Sequence, residues 1–352
     1  MLVKLPRASC ALSLLLVLAG MMPSPPANAA SCKTQSQMTP AQRDALTNAA
    51  RAMIGDVQSG DVQTLRANTI PAVAADFSGI ASSIDTLKPL VAHATITVES
   101  LYALDASTEQ AGVARTDFYC GTPVVVLNFT DLPPASYALV ILHATGVPKP
   151  QQIALVLSES VDHRWMLGGF FSKPMTEDGH DGLWYWVSAR KFAQKSMNWD
   201  AWLYYRMAAY FLDPVDFMSS PNLDKLQHET ERVKPADLPA AQKPLMIGGQ
   251  GSVFQVITVD TTTTFGALDL EVQYTPDQDQ AVQLHDPPSA RKQVTQIMTA
   301  LLSLHPELHD AFHGIWVHAD QGSASLFSLE LPMDQIVPGA PSTATSSNPT
   351  IR

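Results

Sequence analysis

Cysteine is scarce in this 352-residue chain, which holds only Cys10, Cys32 and Cys120. So few thiols exclude a disulfide-dense scaffold and the clustered cysteines of a structural zinc site. Positive charge is also short: 22 Lys and Arg stand against 33 Asp and Glu, a net charge of -11. An acidic chain repels phosphate backbones and anionic lipid surfaces, so nucleic acid is excluded as an expected partner. Past the first thirty residues no apolar run is long enough to cross a bilayer, and no transmembrane span is expected. The motifs of common hydrolases are missing too: there is no Gly-x-Ser-x-Gly and no His-Glu-x-x-His. The glycine-rich run Gly248-Gly249-Gln250-Gly251 lacks the Lys-Ser/Thr pair of a phosphate loop and reads as a turn. No cofactor is expected.

What the chain does have begins with an export leader over residues 1–29. Lys4 and Arg7 supply positive charge, Ala11 to Met22 is almost wholly apolar, and Pro23, Pro25 and Pro26 break the run. Ala27-Asn28-Ala29 then gives the small-x-small pattern of a signal-peptidase site. The competing readings are a retained anchor, for which the apolar run is too short, and lipid attachment at Cys32, which lacks the usual upstream Leu. Cleavage after Ala29 removes two of the 22 basic residues and none of the 33 acids, moving the net charge from -11 to -13. The mature chain is expected in the periplasm or outside the cell, where Cys32 and Cys120 are most simply a disulfide. Free thiols are the competing reading. A bridge would stabilise the fold by about 4 kcal/mol in the chain-entropy model.

The 46% hydrophobic content supports sizeable cores in more than one unit, of α+β class. In residues 30–174 helix signals come first: Thr39-Pro40, then Leu46, Ala50, Met53 and Ile54 at helical spacing, broken at Asp56 to Gly60. Shorter helices follow over Asp61 to Leu65 and Asp76 to Leu87. Six β-rich runs come next, from Ala94-Thr95-Ile96 to Trp165-Met166-Leu167, joined by turns such as Asp131-Leu132-Pro133-Pro134, and these imply an antiparallel sheet. Helices followed by long strands, closing on Asp162-His163-Arg164-Trp165-Met166-Leu167-Gly168-Gly169-Phe170-Phe171, resemble the NTF2-like superfamily over residues 40–173. The resemblance implies a bent sheet curled into a cone around a helix, with a pocket at its open end. Tyr102, Asp105, Asp117 and Tyr119 lie near strand ends, where such a pocket would place an acid and a tyrosine.

Residues 175–222 carry two helical segments, Leu183 to Met197 and Asp200 to Leu212, with four of the six tryptophans. Trp186, Ala209 and Pro214 resemble a single tetratricopeptide repeat, although Arg190 and Trp202 replace its small residues and no second copy follows. These aromatics are expected to weld the hairpin onto the flanking domains; the competing reading is a contact surface, for which Trp186, Trp202 and Tyr205 are the candidate residues, alongside Tyr102 and Tyr119. Residues 223–247 read as a proline-punctuated linker that accommodates a short helix, and 248–337 as a small ββαββ unit. Residues 338–352 read as a disordered tail.

Five of the ten histidines cluster in the last unit. His309, His313 and His318, with Asp310 or Asp320, form a weak alternative for a metal site. The leading expectation is an exported, non-catalytic envelope or secreted protein that binds a small apolar ligand or a protein partner. The alternative is a secreted enzyme, either a metal-assisted hydrolase or an isomerase-like site in the cone.

Overall fold

A computed structural model describes residues 30–249, 252–322 and 324–336; the expected leader and tail lie outside these. Within them the chain is α+β, with curved antiparallel sheets and a smaller sheet unit at the carboxy-terminal end.

Edge strand β1 (Ser31–Thr34) leads into α1 (Pro40–Ser59). Thr39 caps that helix: its hydroxyl accepts from the Gln42 amide while the Gln42 side chain returns to the Thr39 amide. The helix does not break at Asp56 as expected. It runs one more turn and stops at Gly60, whose φ of 76° a residue with a side chain rarely adopts. Three shorter helices, α2 (Val62–Ala67), α3 (Pro71–Ala75) and α4 (Ser78–Val91), precede the strands.

The six strands are β2 (Thr95–Asp105), β3 (Arg115–Cys120), β4 (Val125–Thr130), β5 (Ser136–Thr145), β6 (Gln151–Glu159) and β7 (Trp165–Pro174). They do not form one sheet. The order β1-β2-β5-β6-β7 makes a five-stranded antiparallel sheet, while the β3–β4 hairpin leaves it and pairs with residues 218–219. Burial explains the split. Ala138 to Leu142 is apolar at successive positions, as a strand must be when both of its faces are covered. Ala138, Val140 and Leu142 pack with Leu46, Ile54 and Ile84 of the helices, whereas Leu139 and Ile141 pack with Phe118 and Leu127 of the hairpin. Bulges at Val98/Ser100 and Val156/Leu157 bend the large sheet. The Cys32–Cys120 disulfide joins β1 to β3, with Cα atoms 5.1 Å apart across 88 positions, and so ties the two sheets together.

A two-residue ribbon, β8 (Thr176–Glu177) with β9 (His180–Asp181), leads to the aromatic hairpin α5 (Gly182–Gln194) and α6 (Asn198–Leu212). Asp181 caps α5 by accepting from the Trp184 amide at 2.8 Å. Gly182 lets the helices close, because a Cβ there would fall 2.7 Å from Leu212 Cγ and 2.9 Å from Phe211 Cβ. Strand β10 (Met218–Ser219) and α7 (Pro221–Arg232) follow.

The expected linker is therefore structured for much of its length. Leu226 of α7 is buried, and Leu245 begins β11 (Leu245–Gly249), which pairs with β12 (Ser252–Thr262), so that Gly248 and Gly249, expected in a turn, are strand residues instead. The carboxy-terminal unit continues with β13 (Asp269–Thr275), α8 (Gln278–Gln283), α9 (Pro287–Leu304), α10 (Leu308–Ala311), β14 (Gly314–Gln321) and β15 (Ala324–Pro332). It has one strand more than ββαββ, in the order β11-β12-β13-β14-β15, and β13 runs parallel to β14 because the helices carry the chain back between them. This sheet, its helices and the aromatic hairpin share one hydrophobic core: Trp202, Tyr205 and Phe211 belong to the same cluster as Val256, Tyr274 and Ile297.

Candidate functional site

The aromatic hairpin divides into a buried face and an exposed one, and the division sorts the expected contact residues. Trp186, Trp202 and Tyr205, the candidates for a contact surface, keep only 8%, 6% and 2% of their surface. They are internal. Trp186 Nε1 donates to Glu229 Oε2 at 2.8 Å, and Arg190 closes a two-bond fork on the same carboxylate at 2.7 and 2.9 Å. Burial alone would raise the Glu229 pKa, but the Arg190 and Trp186 bonds outweigh it and hold the carboxyl at about 2. Arg190, the departure from the tetratricopeptide pattern, thus bolts α5 to α7. Trp202 lies under the Arg206 guanidinium, which reaches Asp260 on β12 at 2.7 Å and secures the hairpin to the sheet.

On the outer side of α5 the pattern is different. Leu183, Trp184 and Val187 are exposed at 57%, 38% and 41%, one turn of apolar surface that the described residues leave partly open, with Trp184 resting at 6.1 Å on Tyr204 of α6. Trp184 is held in place: His180 stacks on it at 3.6 Å with a 5° angle between planes, and Tyr185 meets it edge-on at 5.1 Å. One and two turns further along, Lys191 and Lys195 are exposed, and among the described residues neither makes an ion pair. The face therefore grades from a fixed apolar ring and two aliphatic side chains to two free cations.

The other expected residues do not converge. Tyr102, half-buried on β2, lies between Thr34 of β1 and Leu139 of β5, and burial raises its pKa. Asp105 bonds Ser107, which lowers its pKa. Asp117 pairs with Arg115 at 2.8 Å on the second sheet, and Tyr119 is 64% exposed beyond it. No acid faces a tyrosine across a pocket among these four. The best-formed hollows are instead open grooves. One of about 420 Å³ is lined by Leu87, Leu90 and Pro174 together with Ser82, Lys149 and Lys173, and one of about 310 Å³ by Arg206, Met207, Tyr210 and Asp260. Their walls carry more polar side chains than an apolar ligand calls for.

The three histidines of the expected metal site also part company. His309 bonds Asp310 at 3.0 Å, and His318 lies 3.3 Å from Glu271 and against Trp316. Only His313 enters a cluster, and its neighbours are Asp269 and Glu330. No protein-family model, no curated protein and no solved structure matches this chain.

Proposed function

We propose that the chain is an exported, non-catalytic protein that docks a polypeptide partner on the outer face of α5. The observation carrying this reading is the exposed stripe Leu183–Trp184–Val187, ending in the unpaired Lys191 and Lys195. A pre-oriented tryptophan is the kind of rigid anchor on which binding energy concentrates. Two cations that pair with no acid among the described residues, on a chain of net negative charge, select for the partner's charge. The matching surface is an apolar patch bordered by carboxylates. Export is supported by the leader pattern and the Cys32–Cys120 bridge. No helix among the described residues is long and apolar enough to cross a membrane. The NTF2-like resemblance fits a module of this kind, with helices on one face of a bent antiparallel sheet. The apolar-ligand and isomerase readings gain no support from polar, open grooves and scattered acid–tyrosine positions.

Tagged protein recovered from its native envelope tests the reading by quantitative mass spectrometry of what comes with it. Trp184→Ala should remove a partner that Trp202→Ala, once refolded material is selected, retains. Lys191→Glu with Lys195→Glu should weaken recovery and flatten its salt dependence. An unchanged set of companions in both surface variants would defeat the proposal.

A further inference from the structure

Three side chains meet at one end of the carboxy-terminal sheet. Asp269 opens β13, His313 immediately precedes β14, and Glu330 lies near the end of β15. The register brings them together: β13 and β14 run side by side from Leu270↔Ile315, and β15 returns past β14 with Ile315↔Leu331. One donor atom from each of the three lies within 4.8 Å of the others.

The packing is unusual for two acids. Asp269 is fully buried, yet its Oδ2 has no hydrogen-bond partner, and Glu330 Oε1 is buried and unpartnered as well. Neighbouring carboxylates that each bury an unpartnered oxygen cost the desolvation of charged acceptors unless a cation or a proton lies between them. No Lys or Arg among the described residues pairs with either. His313 holds Asp269 Oδ1 at 3.1 Å through Nδ1 while its side chain stays 56% exposed, which leaves a route from solvent. Gly314 completes the arrangement. A Cβ at that position would lie 2.7 Å from Glu330 Oε1 and 2.9 Å from Asp269 Oδ1, so the missing side chain is the space on which both carboxylates converge.

We infer that Asp269, His313 and Glu330 form a binding site for a divalent transition-metal cation of the zinc class. Two carboxylates and one imidazole suit a borderline-soft ion, and three protein donors leave a position for water. The inference does not rest on the docking reading of α5, and the ion clamps three neighbouring strand ends.

The full mature chain, stripped with chelator, is titrated with Zn²⁺ by calorimetry and with Co²⁺ by visible absorption. One ion should bind per chain, with micromolar or tighter affinity and a Co²⁺ spectrum of low coordination number. His313→Ala, a largely exposed change that leaves the core intact, should weaken binding beyond the ~10–100-fold that a supporting residue costs. Glu330→Gln should do the same while circular dichroism stays unchanged. Absence of micromolar binding overturns the inference. So does binding unaltered by both substitutions, which would place the ion on other histidines.

Discussion

Replacing Asp200 by Asn should change how stability depends on pH. Asp200 sits in the first turn of α6, fully buried, with neither carboxylate oxygen hydrogen-bonded. Burial, reinforced by the nearby charges of Glu307 and Asp310, raises its pKa to about 7. In the unfolded chain the same group titrates near 3.9, so the shift is about 3 units, or roughly 4 kcal/mol at 1.36 kcal/mol per unit. The sign follows from proton counting. Between pH 4 and 7 the folded protein keeps a proton that the unfolded chain has released. Stability is therefore full below pH 4, declines as pH rises through 7, and levels off above it. The amide of Asn cannot ionise, so the variant loses this slope whatever its own packing cost. Urea unfolding of both proteins from pH 5 to 8 should show the variant gaining roughly 3 kcal/mol on the wild type across that range. Contributions from groups that do not interact with Asp200 cancel in the difference. A difference that stays constant with pH would refute the reasoning.

Further outcomes follow from the packing. Cys32→Ser with Cys120→Ser should lower stability by roughly 4–5 kcal/mol, the loop-closure cost of an 88-residue span, and reductant should mimic it in a thermal melt. Glu229→Ala strands Arg190 and Trp186 Nε1 and should cost about 3 kcal/mol by urea titration. The Glu229 pKa is depressed, so its contribution is present above pH 4.3 and disappears as pH falls toward 2. Trp202→Ala should cost roughly 3–5 kcal/mol through cavity formation, whereas Trp184→Ala, at a partly exposed position, should cost far less. Chelation should lower the melting temperature of zinc-loaded protein and leave His313→Ala unchanged.

Local chemistry was readable in the sequence and long-range assembly was not. Thr39-Pro40 and Gln42 mark a helix start by themselves, and the strand from Ser136 to Thr145 declares itself by its apolar run. That same run holds a second message, burial on both faces, which foretells the separate β3–β4 layer. Cys32 and Cys120 were legible because, with the expected leader set aside, only one pairing of cysteines remains. The aromatics of the hairpin pack internally, as the welding reading expects, but the sequence left a contact surface open as well because Trp and Tyr serve cores and interfaces equally well. Arg190 separates the two uses only once Glu229, 39 positions away, is known to meet it. Leu245 to Gly249 is short and glycine-ended, so it carries too little periodicity to stand out as a strand. Asp269 and Glu330 lie on two different strands and His313 just before a third, and no spacing within one segment announces them. Gly314 was the available hint, a glycine beside a histidine at the start of an apolar strand.

The docking face is tested most directly by placing a photo-crosslinking residue at Val187 in the native envelope, with Val161, fully exposed on the turn between β6 and β7, as the reference position. The account predicts a discrete adduct at 187 that is lost on Lys191→Glu with Lys195→Glu, and none at 161. No adduct at 187, an adduct of equal yield at 161, or one whose mass is two copies of this chain would contradict it.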